Sequence, residues 1–169
     1  MKVLFIGNSH TYYNDMPAIF KNIAKSLGKD VEVQMVASGG VTYDWHLKHV
    51  ITLRFALMYG GFDYVVCQQA AHPGPPKEET LRDGAKLFDW IRSYGSTPIQ
   101  TVPWCEKRLP EHQAEMYDIY ETLAAETGVK LNPVGRVFED LRVNHGLDLY
   151  YRDGEHANEY GSYAVACCA

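Results

Sequence analysis

Met1-Lys2-Val3-Leu4-Phe5-Ile6-Gly7-Asn8-Ser9-His10-Thr11 opens the chain and decides how the rest is read. After Lys2 come four apolar residues, two of them β-branched, and the run stops at a glycine followed by small polar residues. An h-region of a signal peptide needs about 7–15 apolar residues, so this stretch is too short for one. It reads as a buried first strand that empties into a polar loop.

Outward from that strand the pattern alternates. Residues 17–27 are helix-like and end at Gly28. Residues 31–36 run Val-Glu-Val-Gln-Met-Val, a strand exposed on one face. Ser38-Gly39-Gly40 breaks it, and residues 42–58 are helical by composition, closing at Gly60-Gly61. Residues 64–67 form a short buried strand. The loop His72-Pro73-Gly74-Pro75-Pro76 leads to a helix starting near Lys77, with Leu81, Ala85, Phe88 and Ile91 on one face. Residues 97–102 are a strand candidate. Pro110 opens the next helix, where a missing N–H costs little, and Gly128 ends it. Met116, Ile119, Tyr120 and Leu123 are its buried stripe. Residues 129–131 read as a strand, 134–141 as a short helix and 158–168 as a terminal one, which reaches Ala166-Cys167-Cys168-Ala169 without a stop signal. Residues 1–169 thus form a single α/β domain ordered β-α-β-α-β-α-β-α-β-α. Right-handed crossovers place helices on both faces of such a sheet, so five parallel strands between two helical layers are expected. Sites in these sheets form beyond the carboxyl ends of the strands, which directs attention to loops 7–15, 37–44, 68–77, 102–109 and 144–157.

Composition narrows the function classes. The 169 residues are 46% hydrophobic and 22% charged, enough to bury a core without disulfide or metal staples. A formal charge of −5 and a pI near 5.8 lack the basic footprint of a nucleic-acid binder. No apolar run approaches the ~18 residues of a membrane span. Cys67, Cys105, Cys167 and Cys168 have neither disulfide-framework nor zinc spacing, and read as reduced thiols of a cytoplasmic protein.

Ser9 directly follows the first strand. A serine at such a turn projects Oγ from the sheet edge and offers its own N–H to an oxyanion, although an isolated serine there is more often a cap. The Lys and second glycine of a phosphate loop are missing, as is the second glycine of a Gly-x-Ser-x-Gly elbow. Asp153-Gly154-Glu155-His156 is the second signal. Three residues apart on a loop, the carboxylate reaches Nδ1 of the imidazole and leaves Nε2 for a nucleophile. Ser38-Gly39-Gly40 offers a glycine N–H unobstructed by Cβ, and Gln68-Gln69 ends the third strand with an amide donor to hand. Tyr12, Tyr13, Tyr43, Trp45 and Trp104 flank the rim loops, where aromatics stack on a sugar or acyl chain or simply pack in the core. His46 and His49 lie too far from any carboxylate pair to make a metal site. No cofactor and no metal is expected.

These blocks together resemble the SGNH (GDSL-like) hydrolases. Gly7-Asn8-Ser9-His10-Thr11, Gly39-Gly40, the end of the third strand and Asp153-x-x-His156 fall in that family's order over nearly the whole chain. The resemblance implies a flavodoxin-like three-layer α/β/α fold and ester or thioester hydrolysis by a Ser9–His156–Asp153 triad. The N–H groups of Ser9 and Gly40 then serve as oxyanion donors. Two departures stand out. Asn8 replaces the usual aspartate, and Gln68-Gln69-Ala70-Ala71-His72 replaces a block that usually ends Gly-x-Asn. A subset of the superfamily carries a glutamine near this point, which makes Gln69 the first choice for the third oxyanion donor, His72 the second and Gln68 the third. His10, Tyr43, His72 and Trp104 are the expected substrate-binding residues. The implied activity is that of a serine esterase acting on small acyl, chiefly acetyl, esters on carbohydrates, with the small-molecule ester its partner and neither nucleic acid nor membrane involved. Two other readings stay open: a non-catalytic α/β module binding a carbohydrate or acyl ligand, and an intracellular thioesterase or lysophospholipase.

Overall fold

The computed structural model describes residues 1–169. In chain order it contains β1 (Lys2–Gly7), α1 (Ser9–Tyr12), α2 (Met16–Ser26), β2 (Glu32–Ala37), α3 (Tyr43–Lys48), α4 (Val50–Gly60), β3 (Tyr64–Cys67), α5 (Lys77–Ser93), β4 (Thr97–Thr101), α6 (His112–Thr127), β5 (Lys130–Asn132), α7 (Val134–Val143) and α8 (Glu159–Cys168). Every strand pairing is parallel, and the five strands lie in the order β2-β1-β3-β4-β5. This is the expected three-layer sandwich, with the strand order of flavodoxin-like folds.

The unbroken apolar run of β1 follows from its position. Side chains alternate across a strand, and here both sides are covered. Leu4 and Ile6 face one layer with Val65 and Cys67, against Leu53 and Leu57 of α4, Phe88 of α5 and Leu123 of α6. Val3, Phe5 and Val66 face the other, against Met16 of α2, Phe138 of α7 and Val165 of α8. None of Val3, Leu4, Phe5 and Ile6 is more than 2% exposed. At roughly 1.5–3 kcal/mol for each buried side chain, these four contribute on the order of 6–12 kcal/mol of transfer free energy, an upper bound because the unfolded chain already buries some surface. By contrast β2 is an edge strand with Met35 44% exposed, which accounts for its mixed composition.

Three local features differ from the sequence reading. The helix expected over 42–58 is two helices, broken at His49 (φ −85°, ψ 55°). There the carbonyl of Trp45 receives both the His49 N–H and Nδ1 of the His49 ring, each at 2.9 Å, and the two rings stack with centroids 3.9 Å apart. Next, the loop after β1 contains the single turn α1 and a 3-10 turn, Tyr13–Asp15. Asn14 and Asp15 both take left-handed φ (53° and 55°), a conformation Asn and Asp tolerate best among side-chain-bearing residues, and this separates α1 from α2. Finally, α6 begins at His112, two residues beyond Pro110, and α7 runs on to Val143.

The winding of the sheet reverses between β1 and β3: from β1 the chain adds β2 on one side and then β3 on the other. Doubly wound sheets open a crevice at that point, beyond the carboxyl ends of the strands. The residues at its lip are Asn8 to Thr11 and Gln68 to His72.

Candidate active site

Ser9 is the first residue of α1, half-buried and directly beyond β1. The turn that aims it depends on Gly7, where a Cβ would collide with Thr11 Oγ1 and lie 3.2 Å from the Gln68 carbonyl. Asn8 caps α1 by accepting the His10 N–H on Oδ1 at 3.1 Å. Its Nδ2 donates to the Val41 carbonyl, also at 3.1 Å. An ionised aspartate has no donor for that second bond, which is the physical reason asparagine suits this position.

His156 and Asp153 come from a tight turn 147 residues away from Ser9 in the chain. Gly154 makes the turn with φ +74°, and its N–H donates to Tyr151 O at 3.0 Å. Oδ1 of Asp153 accepts the N–H groups of Glu155 and His156, both at 2.9 Å. Oδ2 lies 2.8 Å from His156 Nδ1, and His156 Nε2 lies 2.8 Å from Ser9 Oγ. An ionised carboxylate only accepts, so Nδ1 carries the hydrogen and Nε2 accepts from the serine hydroxyl. Burial works against the charge on Asp153, but the two backbone N–H groups and the His156 ring outweigh it and hold the carboxyl below its usual range. The imidazole lies between two near-parallel rings, Tyr13 at 4.2 Å and His10 at 4.7 Å between centroids.

Three N–H groups just beyond the carboxyl ends of β1, β2 and β3 have no protein acceptor. As the first residue of a helix, Ser9 has none one turn back, and Gly40, at φ +67°, makes none of the loop hydrogen bonds. The third belongs to Gln69. Its Oε1 accepts from the backbone N–H groups of Tyr43 (2.9 Å) and Ala70 (3.0 Å), which fixes which end of the amide is oxygen. Nε2 is then a free donor that keeps a trace of solvent contact. The Gln68 amide and the His72 ring are instead engaged at both ends, although the Gln68 NH₂ keeps a second hydrogen. Gln68 accepts from Thr11 Oγ1 at 2.7 Å and donates to Gln69 O at 3.0 Å. Both ring nitrogens of His72 are engaged, Nδ1 with His10 Nε2 (3.0 Å) and Nε2 with Trp104 O (2.8 Å).

Two expected substrate contacts are corrected by the structure. Tyr43 is wholly buried, with its hydroxyl bonded to Gln100 Oε1 beneath the site. Trp104 is 1% exposed, stacked on Phe138 at 4.4 Å, and donates Nε1–H to Glu155 O at 2.8 Å. Both follow a strand by several residues, Tyr43 at the start of α3 and Trp104 in the loop after β4, and both turn inward under the rim. His10 is also mostly buried, and what it touches is His156 and His72. Tyr13, by contrast, reads in the sequence as one of several rim aromatics, and its ring stacks on His156; its spacing of four from Ser9 is the signal for that place. A cavity of about 250 Å³ opens next to His72, walled by Ala71, Pro73, Pro103, Glu106 and Met116, and neither Ser9 nor His156 lines it.

No helix is long and apolar enough to cross a membrane. No protein-family model and no curated protein sequence matches the chain. Solved structures do match. An acetyl xylan esterase, AlAXEase, superposes with a TM-score of 0.81 at 16% identity, over 99% of this chain and 97% of that one. A lipolytic protein of the G-D-S-L family from Veillonella parvula gives 0.76 at 14% identity, over 100% and 96%. Axe2, an acetyl xylan esterase from Geobacillus stearothermophilus, gives 0.78 at 15%, over 98% and 90%. At such identities the likeness is one of architecture, and the fold of this chain is the α/β/α fold of the G-D-S-L lipolytic esterases and acylhydrolases.

Proposed function

We propose that the chain is a serine ester hydrolase that cleaves small acyl esters, with O-acetyl groups on carbohydrates as its substrate class. The observation that carries this reading is the continuous hydrogen-bonded line Ser9 Oγ–His156–Asp153, each link 2.8 Å long, at the switch point of the sheet. His156 Nε2 takes the Ser9 proton as Oγ attacks the acyl carbon, and then returns it to the leaving alcohol oxygen. Asp153 keeps the hydrogen on Nδ1 and balances the imidazolium while it exists. The negative charge that develops on the carbonyl oxygen is met by the N–H groups of Ser9 and Gly40 and by Gln69 Nε2. Water then repeats the cycle on the acyl-enzyme, with His156 again as base. The acetyl-carbohydrate preference draws on the acetyl xylan esterases that share the fold.

The test is hydrolysis of p-nitrophenyl acetate, together with fluorophosphonate labelling read by mass spectrometry. A hydrolase turns over the ester and carries the label on Ser9. A protein that only binds its ligand does neither, and label on any other residue removes Ser9 as nucleophile. A panel of acetylated sugars and acyl-CoA thioesters then ranks the leaving groups, and faster turnover of the thioesters overturns the carbohydrate assignment.

A further inference from the structure

His10 and His72 stand outside the Ser9–His156–Asp153 line, yet their rings form a line of their own that ends against it. It can be read from its far end. Trp104 O only accepts, so His72 Nε2, 2.8 Å away, carries a hydrogen. In a neutral His72 the other nitrogen, Nδ1, is then a lone pair, and it accepts from His10 Nε2–H at 3.0 Å. Burial is the main force keeping both rings uncharged, and their proximity to each other and to His156 adds to it. The groups that favour charge are the Glu155 carbonyl and the Asp153 carboxylate beside His10, and Trp104 O, Glu106 and Glu155 beside His72; burial outweighs them. His10 therefore presents a flat, neutral face. That face lies against His156, with planes 16° apart, and Tyr13 lies at 20° to the same ring. Two stacked rings cannot occupy one face, so His156 is held between them.

Resting on the reading of His156 as the base, we propose that His10 and His72 are positioning residues: a neutral pair, locked by its hydrogen bonds, that clamps the His156 ring against Tyr13 and keeps a second positive charge away from the imidazolium formed during turnover. The pair touches neither the hydroxyl of Ser9 nor the candidate oxyanion donors through a hydrogen bond. Its effect reaches the chemistry through His156 alone.

Two measurements on the full chain test this. The first is side-chain ¹⁵N NMR of the histidines at pH 7 and pH 5, which reads tautomer and charge directly. The expected result is that both rings are neutral and protonated on Nε2 at pH 7 and that His10 stays neutral at pH 5. A charged ring at pH 7, a charged His10 at pH 5, or His10 protonated on Nδ1 instead, overturns the lock. The second is the pH profile of kcat for p-nitrophenyl acetate. Removing the acceptor with His72→Leu leaves the His10 Nε2–H unpaired in a buried site and frees the ring to turn off the His156 face; kcat is expected to fall roughly 10-fold with KM within about twofold. His10→Phe keeps a flat face that cannot charge; its kcat is expected to fall by no more than about fivefold, with no added ionisation. A His72→Leu kcat within about twofold of wild type across the pH range overturns the clamp. If the wild type has the stated tautomers but hydrolyses no ester, the hydrolase reading fails alone; wrong tautomers in an active enzyme remove the pair alone.

Discussion

Replacing Gln69 separates two jobs performed by opposite ends of one amide. Oε1 holds the N–H groups of Tyr43 and Ala70 at 2.9 and 3.0 Å in a site where Gln69 is 1% exposed, while Nε2 is the free donor. Gln69→Ala strips both N–H groups of their acceptor, at about 1–3 kcal/mol each, so roughly 2–6 kcal/mol of the ~5–15 kcal/mol that a domain possesses. Its activity loss therefore mixes chemistry with loosened structure. Gln69→Glu keeps an oxygen for the two N–H groups, which hold the new carboxyl ionised at pH 8, and replaces the NH₂ by a second oxygen facing the oxyanion. Loss of a single oxyanion donor costs on the order of 10²–10³ in kcat, or about 2.7–4 kcal/mol, and the opposed charge adds to this. The assay is kcat and KM on p-nitrophenyl acetate at pH 8, with urea unfolding of each variant. The glutamate variant is expected to lose about 100-fold or more in kcat at nearly unchanged KM and a near-native urea midpoint, whereas the alanine variant also loses midpoint. If Gln69→Glu turns over within about threefold of wild type, Gln69 is not an oxyanion donor and the reasoning from its free Nε2 is wrong.

Ser9→Ala is expected to lower kcat by more than about 10⁴-fold without shifting the melting temperature; retention of a tenth of wild-type turnover removes Ser9 as nucleophile. Asp153→Asn keeps an oxygen for the N–H groups of Glu155 and His156 but sets an NH₂ against His156 Nδ1, driving the hydrogen to Nε2; kcat is expected to fall roughly 10³–10⁴-fold with KM little changed, and a smaller effect than tenfold refutes the orienting role. Acid stability follows His10, which burial pushes from 6.5 down to about 3. A depressed pKa means that the unfolded chain binds the proton first: the stability is fully present above pH 6.5 and is lost as pH falls towards 3. At about 1.4 kcal/mol per pH unit, His10 alone removes about 2 kcal/mol by pH 5, and the lowered His72 and His46 act in the same direction. Urea midpoints at pH 7 and pH 5 check this, and equal pH slopes in wild type and His10→Phe refute it.

The fold was legible because its signals are local and repeated. A run such as Val3 to Ile6, apolar at every position, is what a strand covered on both faces needs, and the alternation of such runs with helical stripes leaves few topologies. The one failed helix, over 42–58, broke on a side-chain event: the His49 ring competes for the Trp45 carbonyl, and periodicity does not see this. At the site, Ser9, Asp153 and His156 were legible from residue type and position at strand ends, and the structure brings them within hydrogen-bond distance of one another. The choice among Gln68, Gln69 and His72 was not legible, because it turns on which amide or ring is already engaged, whether by an adjacent residue or by one 32 to 57 positions away. Tyr43 and Trp104 misled for a related reason: aromatic residues in rim segments look alike in sequence whether they point out of the crevice or beneath it.

The bonds from Asn8 to Val41, Thr11 to Gln68 and Gln69 to Tyr43 join the ends of β1, β2 and β3 into one block that carries the serine and the three free N–H groups. The Asp153–His156 turn is anchored to different ground, the segment after β4, through Lys107 N–H to Gly154 O and Trp104 Nε1–H to Glu155 O, both 2.8 Å. The site thus has two parts, one shaped to receive an electrophile and the other to handle a proton, joined by the Ser9–His156 hydrogen bond, by His72 Nε2–H to Trp104 O and by the His10 ring on His156. Sliding one half against the other by about 1 Å leaves each half internally intact yet costs on the order of 10² in rate. Turnover therefore registers small shifts of the segment after β4 that melting temperature does not, so long as the buried Trp104–Phe138 stack beneath it is kept.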